Sequence, residues 1–234
     1  MSASRLKGKP LLEINNLPII CHVVKKAKET GIGKVIVATE DKEIVTAVEK
    51  NGDKVILTGK HNTGTDRIFE AFQKLKITDT EYVINLQGDE PMIDPKDIIN
   101  LNNLMIKNNS DIGTLASEIK KDTMLTNENI VKVITEKKLE NNNFVKALNF
   151  LRKDLKKENS NIYHHIGIYC YKVSVLEKFI NLDQTKNEIE NRLEQLRALD
   201  NSIKINVALA ETSPIGVDTK EDYLALKKIM EYKS

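Results

Sequence analysis

The chain is expected to fold as an α/β protein, with a mostly parallel sheet covered by helices on both faces and a β-rich insertion. Three observations predict this. Short β-branched runs alternate with helical periodicities up to Pro95. The connections between them are short, which favours parallel strands joined by crossover helices. Beyond a helix starting near Pro95, the pattern changes to successive strand-like runs separated by polar loops.

The elements follow in order. An opening loop runs from Ser2 to Pro10. Ile19, Ile20, Val23, Val24 and Ala27 share one face of a helix over Pro18 to Thr30, which Gly31 stops. Lys34 to Thr39 is a buried strand, and Asp41 caps a helix bearing Ile44, Val45 and Val48. A strand at Lys54 to Leu57, a helix from Asp66 to Leu75 and a strand at Tyr82 to Leu86 follow. Gly113 to Ile119, Ile130 to Thr135, Phe144 to Phe150 and Tyr163 to Tyr171 are then expected as strands. In the last of these, Ile166, Ile168 and Cys170 alternate with His165, Gly167, Tyr169 and Tyr171 across the two faces. A helix over Glu188 to Leu199 should turn Ile189, Leu193 and Leu196 inward. A strand at Ile203 to Leu209 and a helix from Thr219 close the chain. Glu136 to Asn143 and Lys153 to Asn161 are expected as exposed loops.

The 234 residues suit one domain, 1–234, in which about 113–180 forms the β-rich insertion. Lys and Arg total 36 against 34 Asp and Glu, so the net charge of +2 offers no broad basic field for nucleic acid. Cys21 and Cys170 both sit in apolar settings and suit small buried thiols in a reducing compartment. No long apolar stretch or signal peptide is present, so a cytoplasmic location is expected.

Ligands in sheets of this kind bind outside the carboxyl ends of the strands, which singles out Thr39-Glu40-Asp41 and Gln87-Gly88-Asp89-Glu90-Pro91. Arg5, Lys7 and Lys9 surround Gly8, where glycine would let the backbone approach an anion; an ordinary exposed turn is the competing reading. The Walker spacing is absent. Asp89 suits Mg²⁺ or a turn cap, and Asp218 a second metal ligand or the N-cap of the last helix. His61, His164 and His165 lack zinc spacing, and neither a Gly-x-Ser-x-Gly elbow nor a Gly-x-Gly-x-x-Gly fingerprint occurs. By themselves these residues point to an α/β enzyme acting on a phosphorylated ligand with a divalent metal.

Ser4-Arg5-Leu6-x-Gly8-Lys9-Pro10-Leu11 resembles the nucleotide loop of sugar nucleotidyltransferases. Thr63-Gly64-Thr65-Asp66-Arg67, Asn85 to Pro91, His165-Ile166-Gly167-Ile168-Tyr169, Leu193-Glu194-Gln195-Leu196-Arg197 and Gly216-Val217-Asp218-Thr219 then follow in the order found in 3-deoxy-manno-octulosonate cytidylyltransferases, or CMP-KDO synthetases. The resemblance covers nearly the whole chain. It implies the nucleotide-diphospho-sugar transferase type of fold and the reaction of CTP with KDO to give CMP-KDO and pyrophosphate, an activation step for lipopolysaccharide. It further implies that Arg5, Gly8, Lys9, Thr65, Arg67 and Gln87 surround the nucleotide, with Lys9, Asp89 and Asp218 catalytic. Asp89 and Asp218 would hold Mg²⁺. Arg152, His165, Tyr169, Glu194 and Gln195 would line the sugar pocket, and the insertion would pair two subunits into a homodimer. A CMP-sialate synthetase, or another sugar-acid cytidylyltransferase, is the neighbouring possibility.

Three departures accompany the resemblance. Glu40 replaces the usual Asp. His164 takes the place of a cation, so contact with the sugar carboxylate is expected to be weaker or pH-dependent. The family's opening strand and its Pro-x-Arg are not found before the first loop. On that reading Met1 is an internal methionine, the chain is expected to be poorly folded or nearly inactive, and a strand slot stands open beside Val35–Ala38 or Val83–Leu86.

Overall fold

Ile19, Ile20, Val23 and Val24 recur at helical spacing and form the buried side of α1 (Ile19–Glu29), which ends where Gly31 turns into the left-handed region at φ +66°. The computed structural model describes residues 6–153, 161–213, 216–217 and 219–232. They form two compact units, one from residues up to 78, 86–98 and the C-terminal end, the other from 79–85 and 99–213.

In the first unit a small antiparallel hairpin of β1 (Glu13–Ile14) and β2 (Leu17–Pro18) precedes α1. Its two-residue turn, Asn15-Asn16, has φ of +52° and +60°, the left-handed pair that tight hairpins require and asparagine tolerates. β3 (Val37–Thr39) and β4 (Val55–Leu57) run parallel, joined through α2 (Lys42–Lys50). Asp41 caps α2 as expected, accepting from Glu43 N–H at 2.8 Å. α3 (Gly64–Leu75) starts two residues earlier than the sequence suggests, because Thr63 accepts from Asp66 N–H at 3.1 Å. Ile20, Cys21, Val24, Val37 and Val48 form one core of this unit. The free Cys21 thiol is buried there as expected.

The second unit is built on a six-stranded sheet. In chain order its elements are β5 (Tyr82–Asn85), α4 (Pro95–Asn108, most of which belongs here), β6 (Ile112–Ser117), α5 (Thr123–Thr126) and β7 (Lys132–Thr135). Then come β8 (Val145–Leu151), β9 (Ile162–Lys172), α6 (Val173–Ile180), α7 (Lys186–Asn191), α8 (Gln195–Asp200) and β10 (Ile205–Leu209). The strand order is β5-β9-β6-β10-β8-β7, and β7 pairs also with β9, so the series of pairings returns to β9. The mostly parallel sheet expected from the sequence is corrected here to a mixed one. Only β6 and β10 run parallel within it. The physical reason lies in the connections: β7 and β8 are joined by a loop with no crossover helix, and such neighbours pair antiparallel.

Two further expectations are corrected. The helix over Glu188 to Leu199 is two helices, α7 and α8, separated by Arg192 at φ +53°. Ile189, expected inside, is 58% exposed because it lies on the helix before that break. Strict alternation along β9 also fails: a bulge opposite Thr114 and Leu115 brings His165 and Ile166 both into the interior.

The C-terminal helix α9 (Lys220–Glu231) belongs to the first unit. Its N-cap is Thr219, in a reciprocal capping box with Asp222 at 2.8 and 3.1 Å, so Thr219 takes the cap that Asp218 was a candidate for. Among the described residues, β3 has β4 as its strand partner and β5 has β9, which leaves one edge of each unpaired. No described helix is long and apolar enough to cross a membrane.

Candidate active site

The residues expected around the nucleotide fall in the first unit. Gly8 sits at φ +67°, ψ +15°, a conformation glycine adopts at no steric cost, and it introduces a 3₁₀ turn over Lys9–Leu11. That turn brings the Lys9 ammonium onto the Asp89 carboxylate. The two side chains keep 14% and 23% of their surface exposed, so a ligand can reach both. Arg5 lies outside the described residues.

Asp89 follows β5 through Gln87-Gly88, where Gln87 is exposed. A Cβ on Gly88 would come within 2.9 Å of Ile20 Cδ1, so the absence of a side chain lets this loop lie against α1. Val217 N–H donates to the Asp89 carbonyl at 3.1 Å. Asp218 itself lies outside the described residues, but its neighbour Val217 is bonded to the main chain of Asp89.

Arg67 and Thr65 lie on the first turn of α3. Thr65 is buried, and Arg67 Nη2 stands 3.7 Å from Glu40 Oε1 on the loop after β3. The loop between β4 and α3 is held by Glu70, which sequence reasoning passed over. Glu70 accepts from Gly59 N–H at 3.1 and 2.9 Å, from Lys74 at 2.6 Å and from His61. Lys74, then His61, then the Gly59 amide hold its carboxyl down at about 2.

The residues expected around the sugar fall in the second unit, and they are drier. His165, paired with Ala116 just before the β9 bulge, is 8% exposed. Thr114 Oγ1 reaches the carbonyls of Ile166 and Ile168 at 3.3 and 2.7 Å, capping two oxygens beside the bulge. Because that hydroxyl spends its proton on the carbonyls, it must accept from His165 Nε2–H at 3.0 Å, which leaves Nδ1 as a lone-pair acceptor. Burial, then the charges of His164 and Arg152, push His165 down to about 3, so the ring is neutral at pH 7.

An aromatic series extends from this ring. Phe150 stands edge-on to His165 at 5.1 Å, Tyr169 lies 5.4 Å from it, Tyr171 stacks 5.8 Å beyond, and Phe179 follows at 6.2 Å. The Tyr169 hydroxyl is buried with no hydrogen-bond partner among the described residues, and burial, then Tyr171 and Glu194, push it well above the usual phenol range. The structure therefore brings His165, Tyr169, Arg152 and Glu194 into one electrostatic neighbourhood. Gln195 is the first residue of α8, next to Glu194.

Arg152 leaves the end of β8, where its Nη1 donates to Asn129 O at 3.3 Å. Its carbonyl accepts from Lys132, a fully buried ammonium that also donates to Asn127 O at 2.7 Å. His164 Nδ1 lies 3.2 Å from Ser213 Oγ, and burial, then Lys132, lower its pKa. His164 is thus no cation at neutral pH, and the cations of this region are Arg152 and the buried Lys132.

Glu188, Arg197, Thr114 and Lys132 were also not singled out by function in the sequence. A signal existed for Glu188: Thr185-x-x-Glu188 has capping-box spacing, and both halves of the box form. Nothing in the local sequence marks Thr114, whose role follows from a bulge on another strand.

Fold and site together define an α/β enzyme with a basic glycine turn facing a carboxylate loop, the apparatus of nucleotidyl transfer. The cytidylyltransferase family model matches residues 1–205, and the chain belongs to that family. A 3-deoxy-manno-octulosonate cytidylyltransferase of Thermodesulfovibrio yellowstonii is 43% identical over 245 aligned positions, covering 97% of this chain and 94% of the relative. The enzyme of the same name from Bartonella tribocorum is 39% identical over 98% of this chain and 95% of its own. A solved CMP:2-keto-3-deoxy-manno-octonic acid synthetase, in complex with CTP, superposes with a TM-score of 0.88 at 33% identity, covering 99% of this chain and 95% of that one. Apo UDP-glucose pyrophosphorylase, at 14% identity and a TM-score of 0.73, shares the fold.

Proposed function

We propose that this protein is a CTP:sugar-acid cytidylyltransferase that converts CTP and KDO to CMP-KDO and pyrophosphate. The observation that carries the reading is the 33% identity and TM-score of 0.88 to the synthetase solved with CTP, over 99% of this chain. The fold is of the nucleotide-diphospho-sugar transferase type, and the product serves lipopolysaccharide synthesis.

A sugar hydroxyl oxygen attacks the α-phosphorus of CTP, forming a new O–P bond as the bond to the bridging oxygen of the β-phosphate breaks. Pyrophosphate departs with that bond's electrons, and the hydroxyl proton passes to solvent. Such a reaction depends on positioning and on charge stabilisation and needs no covalent nucleophile. Lys9, on the glycine turn, offsets negative charge gathering on the phosphates, with Arg5 expected beside it. Thr65, Arg67 and Gln87 border the nucleotide. Asp89 and Asp218 would hold Mg²⁺, which when bound offsets phosphate charge and eases ionisation of the attacking hydroxyl. Arg152 meets the sugar carboxylate. His165, neutral and with Nδ1 free to accept, receives a sugar hydroxyl, while Tyr169, Glu194 and Gln195 complete the polar wall.

The test is pyrophosphate release with a panel of nucleotides and sugar acids. CTP with KDO is expected to turn over best, with UTP and with sialic acid far behind. Release with sialic acid matching that with KDO would overturn the substrate assignment. A homodimer paired through the β-rich stretch is also proposed, to be checked by the mass in solution.

A further inference from the structure

The corner between α7 and α8 is an unusual place to hang ligand contacts. Arg192 sits there at φ +53°, ψ +46°, which a residue with a side chain seldom adopts, so neighbouring contacts must hold it. One residue supplies most of them. The Glu188 carbonyl accepts from Arg192 N–H and from Leu193 N–H, the latter at 3.2 Å. The Glu188 carboxylate accepts from Arg197 Nε at 2.8 Å and Nη2 at 2.6 Å, in the two-pronged geometry that only a guanidinium offers. Both ends of the segment Leu193–Arg197 are therefore tied to Glu188, and Glu194 and Gln195 lie between the ties.

The Arg197 guanidinium is fixed on its other side as well. Its Cζ lies 4.9 Å from the centre of the Phe179 ring, the last member of the aromatic series that begins at His165. Glu194 Oε1 lies 4.0 Å from Arg197 Nη2. Both side chains of the Glu188–Arg197 pair are only 4% exposed. Stability gives little reason for such a pair, since apolar residues of similar volume often serve a fold as well or better. What the ion pair does supply is a single geometry.

We propose that Arg197 is a positioning residue for the sugar acid: clamped to Glu188 and stacked on Phe179, it sets where Glu194 and Gln195 meet the sugar. The inference rests on the sugar-acid reading of this site. It assigns no catalytic contact to Arg197 itself.

The experiment replaces the pair with apolar residues, Glu188→Leu with Arg197→Met, and follows pyrophosphate release while KDO and CTP are titrated in turn. The KM for KDO is expected to rise about tenfold or more, with the KM for CTP unchanged within about twofold, in a variant of near-normal Tm. Arg197→Lys, which keeps the charge but loses the fork, should fall between. A KDO KM within about twofold of the original, or equal rises in both constants, would overturn the proposal. Should the double variant fail to fold, Arg197→Lys carries the same ratio test. If the unaltered protein proves to use another sugar acid, the substrate assignment falls, and the same split measured with that acid decides the positioning role.

Discussion

The two groups of candidate residues, one in each unit, treat charge in opposite ways. In the first unit, among the residues proposed for the nucleotide, Lys9 and Asp89 keep 14% and 23% of their side chains exposed, and Arg67 stands 3.7 Å from Glu40. In the second unit, among the residues proposed for the sugar, His165 is neutral, Tyr169 hides its hydroxyl, and Glu188 and Arg197 are paired at 4% exposure. A triphosphate brings its own large charge, so the protein needs exposed counter-charges that can trade a protein partner for a phosphate. A sugar acid brings hydroxyls of fixed geometry, and a dry, rigid wall reads those better than mobile ions do.

The contrast can be broken most directly at Asp89. Asp89→Asn keeps the size of the side chain but removes its charge, and turnover should fall about 10²–10³-fold with Tm little changed. Near-normal activity in Mg²⁺ would remove Asp89 from the metal site. The structural cost should be small because the carboxylate is solvent-accessible.

The group in the second unit should instead reveal itself in acid. His165 has a folded pKa of about 3 against an ordinary 6.5, so the unfolded chain binds its proton first as the pH drops. The stability His165 contributes is complete above pH 6.5 and is lost progressively down to about 3, with a slope of about 1.4 kcal/mol per pH unit. Melting curves between pH 7 and 4.5 check this, and His165→Gln should flatten them. Glu188 acts later: burial raises its carboxyl, the bonds from Arg197 and Gln184 outweigh that, and its contribution fades only as the pH falls below the ordinary 4.5 through its lowered value.

Tyr169→Phe is a sharper probe with a smaller effect. The hydroxyl has no hydrogen-bond partner among the described residues, so removing it should leave Tm unchanged or slightly raised. If a sugar atom is its partner, the KM for KDO should rise about threefold to tenfold, the worth of one hydrogen bond. An unchanged KM would take Tyr169 out of the sugar contacts.

The smallest effect is expected outside both groups. Asp41→Ala removes the cap of α2 and should cost about 1 kcal/mol by urea denaturation, with both KM values untouched. A change in the KM for CTP would mean that the neighbouring Glu40 loop depends on that cap.

How far the sequence carried these assignments differs by element. Local rules sufficed for α1, α2 and α3, where apolar spacing, Asp41 and Thr63 act within a few residues of the structure they set. The alternating strands and helices of the first unit were equally legible. α6, the Asn15-Asn16 hairpin and the break at Arg192 were not anticipated. Position 192 carries no glycine to announce a left-handed turn, and the Arg197 side chain that anchors Glu188 comes from the next helix.

The sequence by itself determined the helices, the capping residues and the order of the motifs, because those depend on neighbours along the chain. Only the tertiary structure decided the mixed direction of the second sheet, the bulge beside His165 and the aromatic series from His165 to Phe179, on which Arg197 stacks. Thr114 and His165 are 51 residues apart, and the hydrogen bond between them exists only once two strands have paired in one register. Strand pairing joins residues with no local relation to one another, so the direction of the sheet and the protonation of its histidine were both settled in three dimensions.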